Sequence, residues 1–172
     1  ELVVSTDGDD TIYGFYYQDE IDGGAGNDYL SGGDHGDTYY FGRGDGSDTI
    51  EDGQNNILTP DADKIVFKSG VAFEDVTFTH VAGGDLLVSI NGTDDVIRIV
   101  DQYTVVETGP FGAQAFDRIE EFHWADGTVK LWPDLRQEII DAESTDGDDV
   151  ILGSHFNDVF DAGLGNDRME GD

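Results

Sequence analysis

Cysteine is absent from the 172 residues, so no disulfide framework can staple this chain. Positive charge is nearly as scarce: eight Lys and Arg stand against thirty-nine Asp and Glu, a formal net charge of −31. That balance argues against nucleic acid and against anionic membrane surfaces as direct partners. The chain has no run of about eighteen apolar residues and no signal-like N-terminus, so no membrane insertion by this segment is expected. The four histidines, His35, His80, His123 and His155, are scattered, and none sits in a His-Glu-x-x-His pattern. With 24 glycines and a mean hydropathy of −0.40, such a chain resists compaction through self-repulsion unless something neutralises its carboxylates.

What is present is a repeat. Gly23-Gly24-Ala25-Gly26-Asn27-Asp28-Tyr29-Leu30-Ser31 satisfies every specified position of Gly-Gly-x-Gly-x-Asp-x-U-x, where U is a large apolar residue. This nine-residue pattern belongs to calcium-binding parallel β-helix repeats. Three further copies share its phase, with Asp10 and Ile12, Asp19 and Ile21, and Asp37 and Tyr39 at the acidic and apolar positions. A fifth, slipped by two residues, carries Asp48 and Ile50, and Asp63-Lys64-Ile65 is read as a sixth turn with a longer loop. Thr6-Asp7-Gly8-Asp9-Asp10 then returns as Thr145-Asp146-Gly147-Asp148-Asp149, and Gly26-Asn27-Asp28 returns as Gly165-Asn166-Asp167 in the same register. The second block stops inside a repeat, as expected of a piece of a longer protein built from similar units.

Each residue type has a physical task. Nine residues allow one short strand and one tight turn, and two such units complete one coil. Glycines at positions one, two and four are expected to reach positive φ and bring carbonyls close to an ion. The position-six aspartate supplies a carboxylate, and the position-eight residue points inward, because alternate strand residues face opposite sides. An all-oxygen, loop-rich cage favours a hard cation of calcium size. Turns two repeats apart should face each other, pairing Asp10 with Asp28, Asp19 with Asp37, Asp28 with Asp48 and Asp149 with Asp167. Asp158 would need a partner further along. Because the ion binds the folded chain and hardly the unfolded one, folding of the repeat blocks is expected to depend on it.

The copies are unequal. Phe15 and Tyr17 occupy glycine positions, as do Ser154 and Phe156 in the equivalent repeat, and His35 replaces another glycine. A side chain at positive φ costs on the order of 1 kcal/mol. Phe15-Tyr16-Tyr17 is either a relaxed turn at the edge or an aromatic binding patch.

Residues 52–143 carry less glycine and more β-branched and aromatic residues. Strands are expected at Lys64–Phe67, Val76–His80, Leu86–Ile90, Val96–Val100, Ile119–Trp124 and Val129–Trp132. Asn91-Gly92 and Asp126-Gly127 mark hairpins, and Pro133 opens a short helix over Asp134–Ala142. Arg43-Gly44-Asp45 spells an integrin-type tripeptide but lies within an expected metal turn. Asn91-Gly92-Thr93 reads as turn chemistry before it reads as a glycosylation sequon. Glu120, Glu121 and His123 do not share one strand face and have no nucleophile beside them, so no enzyme is expected. Trp124, Trp132 and Tyr103 are either core or a carbohydrate platform.

These residues resemble the RTX (repeat-in-toxin) haemolysin-type calcium-binding proteins. The repeats at 5–51 and 144–172 carry the likeness. Asp37 to Ile50 resembles the passage from such repeats into their flank, and Gly84-Asp85-Leu86, Gly92 to Asp95 and Ala125 to Thr128 resemble later parts of it. The resemblance implies an all-β fold: a parallel β-roll with a β-rich capping segment and one short helix. Its divisions would be a roll at 1–51, a flank at 52–143 and the truncated start of a second roll at 144–172. It also implies several calcium ions held by position-six aspartates and turn carbonyls. The ligand sets would be Ser5, Asp7 and Asp10 facing Gly24, Gly26 and Asp28; and Gly14, Tyr16 and Asp19 facing Gly33, His35 and Asp37. Gly23, Ala25 and Asp28 would face Gly44, Gly46 and Asp48, and Ser144, Asp146 and Asp149 would face Gly163, Gly165 and Asp167. The implied role is a non-catalytic module of a bacterial protein exported by type I secretion, folding on calcium outside the cell. Adjacent repeat units are expected partners, and adhesion to a glycan or receptor is the alternative role.

Overall fold

The computed structural model describes residues 2–52, 62–81, 83–103, 105–107, 113–115, 119–153 and 159–170. The repeats form β1 (Leu2–Val4), β2 (Thr11–Phe15), β3 (Glu20–Asp22), β4 (Tyr29–Gly33), β5 (Thr38–Phe41) and β6 (Ser47–Ile50). The middle segment adds β7 (Lys64–Phe67), β8 (Val76–Val81), β9 (Asp85–Ile90), β10 (Val96–Ile99), β11 (Val105–Glu107), β12 (Ala113–Ala115), β13 (Glu121–His123) and β14 (Val129–Leu131). Helix α1 (Trp132–Glu143) follows, then β15 (Val150–Leu152) and β16 (Arg168–Glu170). No helix among the described residues is long and apolar enough to cross a membrane.

Successive repeat strands alternate between two sheets. One runs β1-β3-β5-β7-β13-β14 and the other β2-β4-β6-β10-β9-β8, with all pairings between repeat strands parallel. The register follows from the repeat length: Leu2 lies beside Glu20, Thr11 beside Tyr29 and Glu20 beside Thr38, each pair two nonapeptides apart. The slip before Asp48 appears as Tyr29 beside Thr49, and the longer sixth turn as Thr38 beside Lys64. Beyond β7 the sheets finish with antiparallel pairings, β8–β9–β10 and β13–β14; β9 and β10 are joined at the expected Asn91-Gly92 turn, and β13 and β14 at the expected Asp126-Gly127 turn.

Position eight builds the core. Ile12, Leu30 and Ile50 stack on one sheet, with Ile99 and Leu86 continuing the row; Ile21, Tyr39, Ile65 and Phe122 stack on the other. All are buried in one cluster, each side chain contributing roughly 1.5–3 kcal/mol of burial. The flank closes that core with aromatic rings. Trp124 stacks on Phe67 at 4.7 Å, and Trp132 meets Tyr103 edge-on at 5.0 Å. Trp124, Trp132 and Tyr103 are therefore core residues, not the exposed platform that was the alternative. The helix begins two residues before the expected Asp134, because Pro133 fits its first turn and Trp132 is drawn inward with Leu135, Ile139 and Ile140.

Candidate metal turns

The turns are built by a recurring bond between carboxylates and amides. The Asp10 amide donates to Asp28 Oδ1 at 2.8 Å, and the Asp28 amide donates to Asp48 Oδ1 at 3.0 Å. On the connections that lead back to the first sheet, Asp19 donates to Asp37 Oδ1 at 2.8 Å and Asp37 to Asp63 Oδ1 at 2.6 Å. In the second block Asp149 donates to Asp167 Oδ1 at 3.1 Å. All four pairings expected from spacing are thus brought together. Asp28, Asp37, Asp48, Asp63 and Asp167 each spend one oxygen on the turn stacked before them. For Asp28 and Asp37 the second oxygen is buried and has no hydrogen-bond partner.

The glycines do two different jobs. Positive φ is found at Gly24 (76°), Gly33 (105°), Gly44 (91°) and Gly163 (71°) in position two and at Gly26 (153°), Gly46 (95°) and Gly165 (137°) in position four, but not at Gly8 or Gly147, the position-four glycines of the two leading turns. Phe15 and His35 are forced into the same region, at 89° and 79°. Position one differs from expectation. Gly14, Gly23 and Gly32 are not left-handed; a Cβ there would collide with the carboxylate of Asp19, Asp28 or Asp37 in the same turn. Glycine at position one makes room for the acid at position six.

Close stacking of backbones explains the remaining placements. A Cβ on Gly24 would lie 3.0 Å from the Thr6 carbonyl and 3.3 Å from Ser5 Oγ, and one on Gly26 would lie 2.6 Å from the Gly8 carbonyl. Ser5 Oγ also donates to the Gly23 carbonyl. Gly33 meets the Phe15 carbonyl, which accepts the Asp34 amide at 2.9 Å, so the Gly14–Asp19 turn stacks despite its aromatic substitutions. Tyr16 of that turn is 69% exposed. Gly26, which follows Ala25 in its turn, touches Gly46 along the backbone, with the Ser47 amide donating to the Gly26 carbonyl at 3.1 Å. In the second block Gly163 and Gly165 meet the Thr145 and Gly147 carbonyls, reproducing the first turn pair. Ser144 Oγ donates to the Ile140 carbonyl at 3.0 Å, while Asp7 and Asp146 are exposed. Asp158, Ser154, His155 and Phe156 lie outside the described residues.

Charge is unevenly compensated. Burial, with neighbouring carboxylates, pushes the Asp37 and Asp48 carboxyls up to about 7 and raises that of Asp28. Asp10, whose Oδ2 accepts the Thr6 hydroxyl at 2.8 Å and the Thr6 amide at 3.0 Å, is held below the usual range. The buried, unpartnered oxygens of Asp28 and Asp37 are placed as cation ligands would be, and oxygen donors alone select a hard cation. The residues present therefore fit calcium.

Several functional side chains escaped the repeat pattern. The Lys68 ammonium bridges Asp22 at 2.6 Å and Asp45 at 2.8 Å, an internal counter-ion beside the Asp28–Asp48 turns. Asp95 accepts the amides of Gly44 and Gly46, both at 2.9 Å, and so anchors the slipped turn. Both lie far along the chain from their partners and belong to no repeat; only a charged residue at a strand end hinted at them. Arg43 is tied to Asp75 at 3.2 Å and Asp45 is buried, so the Arg43-Gly44-Asp45 tripeptide is built into the fold. His123 Nε2 pairs with Glu121 at 2.6 Å on β13, while Glu120 accepts the Asp63 amide at 2.7 Å.

A model of the RTX calcium-binding nonapeptide repeat (4 copies) matches residues 1–16, 13–47 and 143–172. A model of the haemolysin-type calcium binding protein related domain matches residues 85–129. Over 128 residues, 74% of this chain, the sequence is 31% identical to the iron-regulated protein FrpA of Neisseria meningitidis serogroup C. The chain spans about a tenth of that protein's length.

Proposed function

Since the chain belongs to the haemolysin-type (RTX) calcium-binding repeat proteins, we propose that it is a structural module of a larger secreted or surface-exposed bacterial protein, folding into a parallel β-roll as calcium binds outside the cell. The observation that carries this reading is the pair of buried, unpartnered carboxylate oxygens, Asp28 Oδ2 and Asp37 Oδ2, at the centre of stacked turns. Calcium would be held by the position-six aspartates and the turn carbonyls of Ser5, Asp7, Gly24 and Gly26, and by their counterparts in the other pairs. When bound, it supplies positive charge to a chain whose formal net charge is −31. The chain's own contribution is to hold the carboxylates in register through the Asp-to-Asp amide bonds and to exclude water with the position-eight core. Residues 1–51 form the roll, 52–143 its cap and 144–172 the beginning of a second roll. A calcium-poor cytosol would keep such a chain unfolded and fit for type I export.

The test is titration of calcium into the metal-stripped chain, followed by far-UV circular dichroism with magnesium as control. Cooperative gain of β signal with several calcium ions bound supports the module. A chain fully folded without calcium and unchanged by it refutes the folding role. A second reading, adhesion to a glycan or receptor, has one observation in its favour: Tyr13, Phe15, Tyr16 and Tyr17, on β2 and the bend after it, are all more than half exposed. Loss of binding to immobilised glycans on Tyr16→Ser and Tyr17→Ser, with calcium uptake intact, would support it.

A further inference from the structure

The carboxylate ladder does not stop where the nonapeptides stop. The Asp63 turn, which lacks the glycine pattern, continues the Asp19–Asp37 stack, and a third acid joins it from the end of β6. Asp37, Asp52 and Asp63 are buried, at 0%, 2% and 1% exposure, and each offers an oxygen within 4.8 Å of the others. We propose that these three side chains form a separate cation site, holding one divalent ion of calcium size at the junction between repeats and flank. Asp52 and Asp63 fall between the segments matched by the repeat and flank family models. The inference deepens the calcium reading, sharing Asp37 with the stacked turns and drawing its other ligands from outside any repeat.

The site is preorganised by bonds that fix each carboxylate. Asp52 Oδ1 accepts the Gly33 amide at 3.1 Å, and its Oδ2 accepts the Tyr39 hydroxyl at 2.7 Å. Tyr39 in turn accepts the Gly32 amide at 2.6 Å. Asp37 Oδ2 lies against Gly32 itself, so the Asp37 and Asp52 carboxylates converge on one dipeptide. Asp63 is brought in by its bond from the Asp37 amide. The independent sign of a ligand is Asp37 Oδ2, fully buried beside Gly32, whose amide is linked through Tyr39 to Asp52, and accepting no hydrogen bond.

Charge and size decide what belongs there. Three buried carboxylates in mutual reach repel one another, and a cation held among them offsets that repulsion. On the opposite connections the chain supplies its own, the Lys68 ammonium between Asp22 and Asp45. A monovalent ion would cancel only one of three charges. Calcium binds carboxylate oxygens at about 2.3–2.6 Å, so two oxygens on one ion lie at most about 4.6–5.2 Å apart. The observed spacing meets that bound without rearrangement.

The experiment counts calcium ions on the full chain by native mass spectrometry for wild type, Asp52→Asn and Asp63→Asn. Asparagine keeps the shape and removes the charge. One fewer ion in each variant, with the calcium-loaded circular dichroism unchanged, is the expected result; equal counts in all three overturn the site. Should the variants collapse, a wild-type crystal grown in calcium decides by anomalous scattering. A peak among the three carboxylates supports the site. Ions in the nonapeptide turns with none here overturn this inference alone, and no ion anywhere overturns it together with the calcium module.

Discussion

Replacing Gly23 by alanine separates two roles that glycine plays in this protein. The new methyl would lie 2.5 Å from Asp28 Oδ2 and 3.2 Å from Asp28 Cγ, so the carboxylate must move. Backbone strain is not the issue, because Gly23 is not left-handed. Moving the carboxylate breaks the bond from the Asp10 amide to Asp28 Oδ1, worth about 1.5–3 kcal/mol for a charged acceptor. Overpacking adds about 1–3 kcal/mol, for a total of about 2.5–6 kcal/mol in calcium. Asp28 also serves two turn pairs, with Asp10 and with Asp48, so its displacement should reduce the number of ions bound. Gly127→Ala is the control. It sits at φ 92° in a hairpin turn, with nothing within 4 Å of the added methyl. That change should cost only about 1–2 kcal/mol of strain and no ion. Calorimetric calcium counting and urea denaturation in saturating calcium read both quantities. If Gly23→Ala binds the full complement of calcium, or if both variants lose the same stability, the assignment of position one to carboxylate space is wrong.

Three further perturbations have defined outcomes. Lys68→Met strips the counter-ion from Asp22 and from buried Asp45, and should cost about 1–3 kcal/mol, measured by thermal melting in calcium; an unchanged melt would mean the bridge is incidental. Phe15→Gly relieves a left-handed phenylalanine whose ring is 65% exposed, and should stabilise the calcium-loaded protein by about 1 kcal/mol; destabilisation in urea would show that the ring has a packing role. Metal-free protein should gain structure as pH falls from about 8 to about 5, because burial lifts the Asp37 and Asp48 carboxyls to about 7, above an unfolded value near 4. The folded state then holds protons that the unfolded state has released, so stability falls as pH rises through that window. Asp10, held low, stays ionised throughout it. A circular dichroism signal that rises with pH in the absence of metal would reverse the argument.

Much of this protein could be read from its period. Nine residues per unit, in phase from Asp10 to Asp37, determine which strands lie side by side, because each strand and turn consumes a fixed length of chain and every second unit returns to the same sheet. The position-eight residues were bound to face inward by the two-residue alternation of a strand, and the four acid pairs follow from the same arithmetic. Asn91-Gly92 and Asp126-Gly127 marked their hairpins through local backbone preference alone. What lay beyond reading were contacts without a period. Asp52 and Asp63 meet Asp37 only because β7 rejoins the stack outside the nine-residue register, and Lys68 finds Asp22 and Asp45 across 46 and 23 residues of chain. Trp124, Trp132 and Tyr103 have the same composition as a sugar platform or a core, and only the closing of the flank over the sheets buries them. Repetition turns one local rule into long-range order, so the sequence by itself determined the stacking and its acids. Where the repetition ends, charge and aromatic surface are matched between segments remote in sequence, and the tertiary structure alone decided which side chains meet.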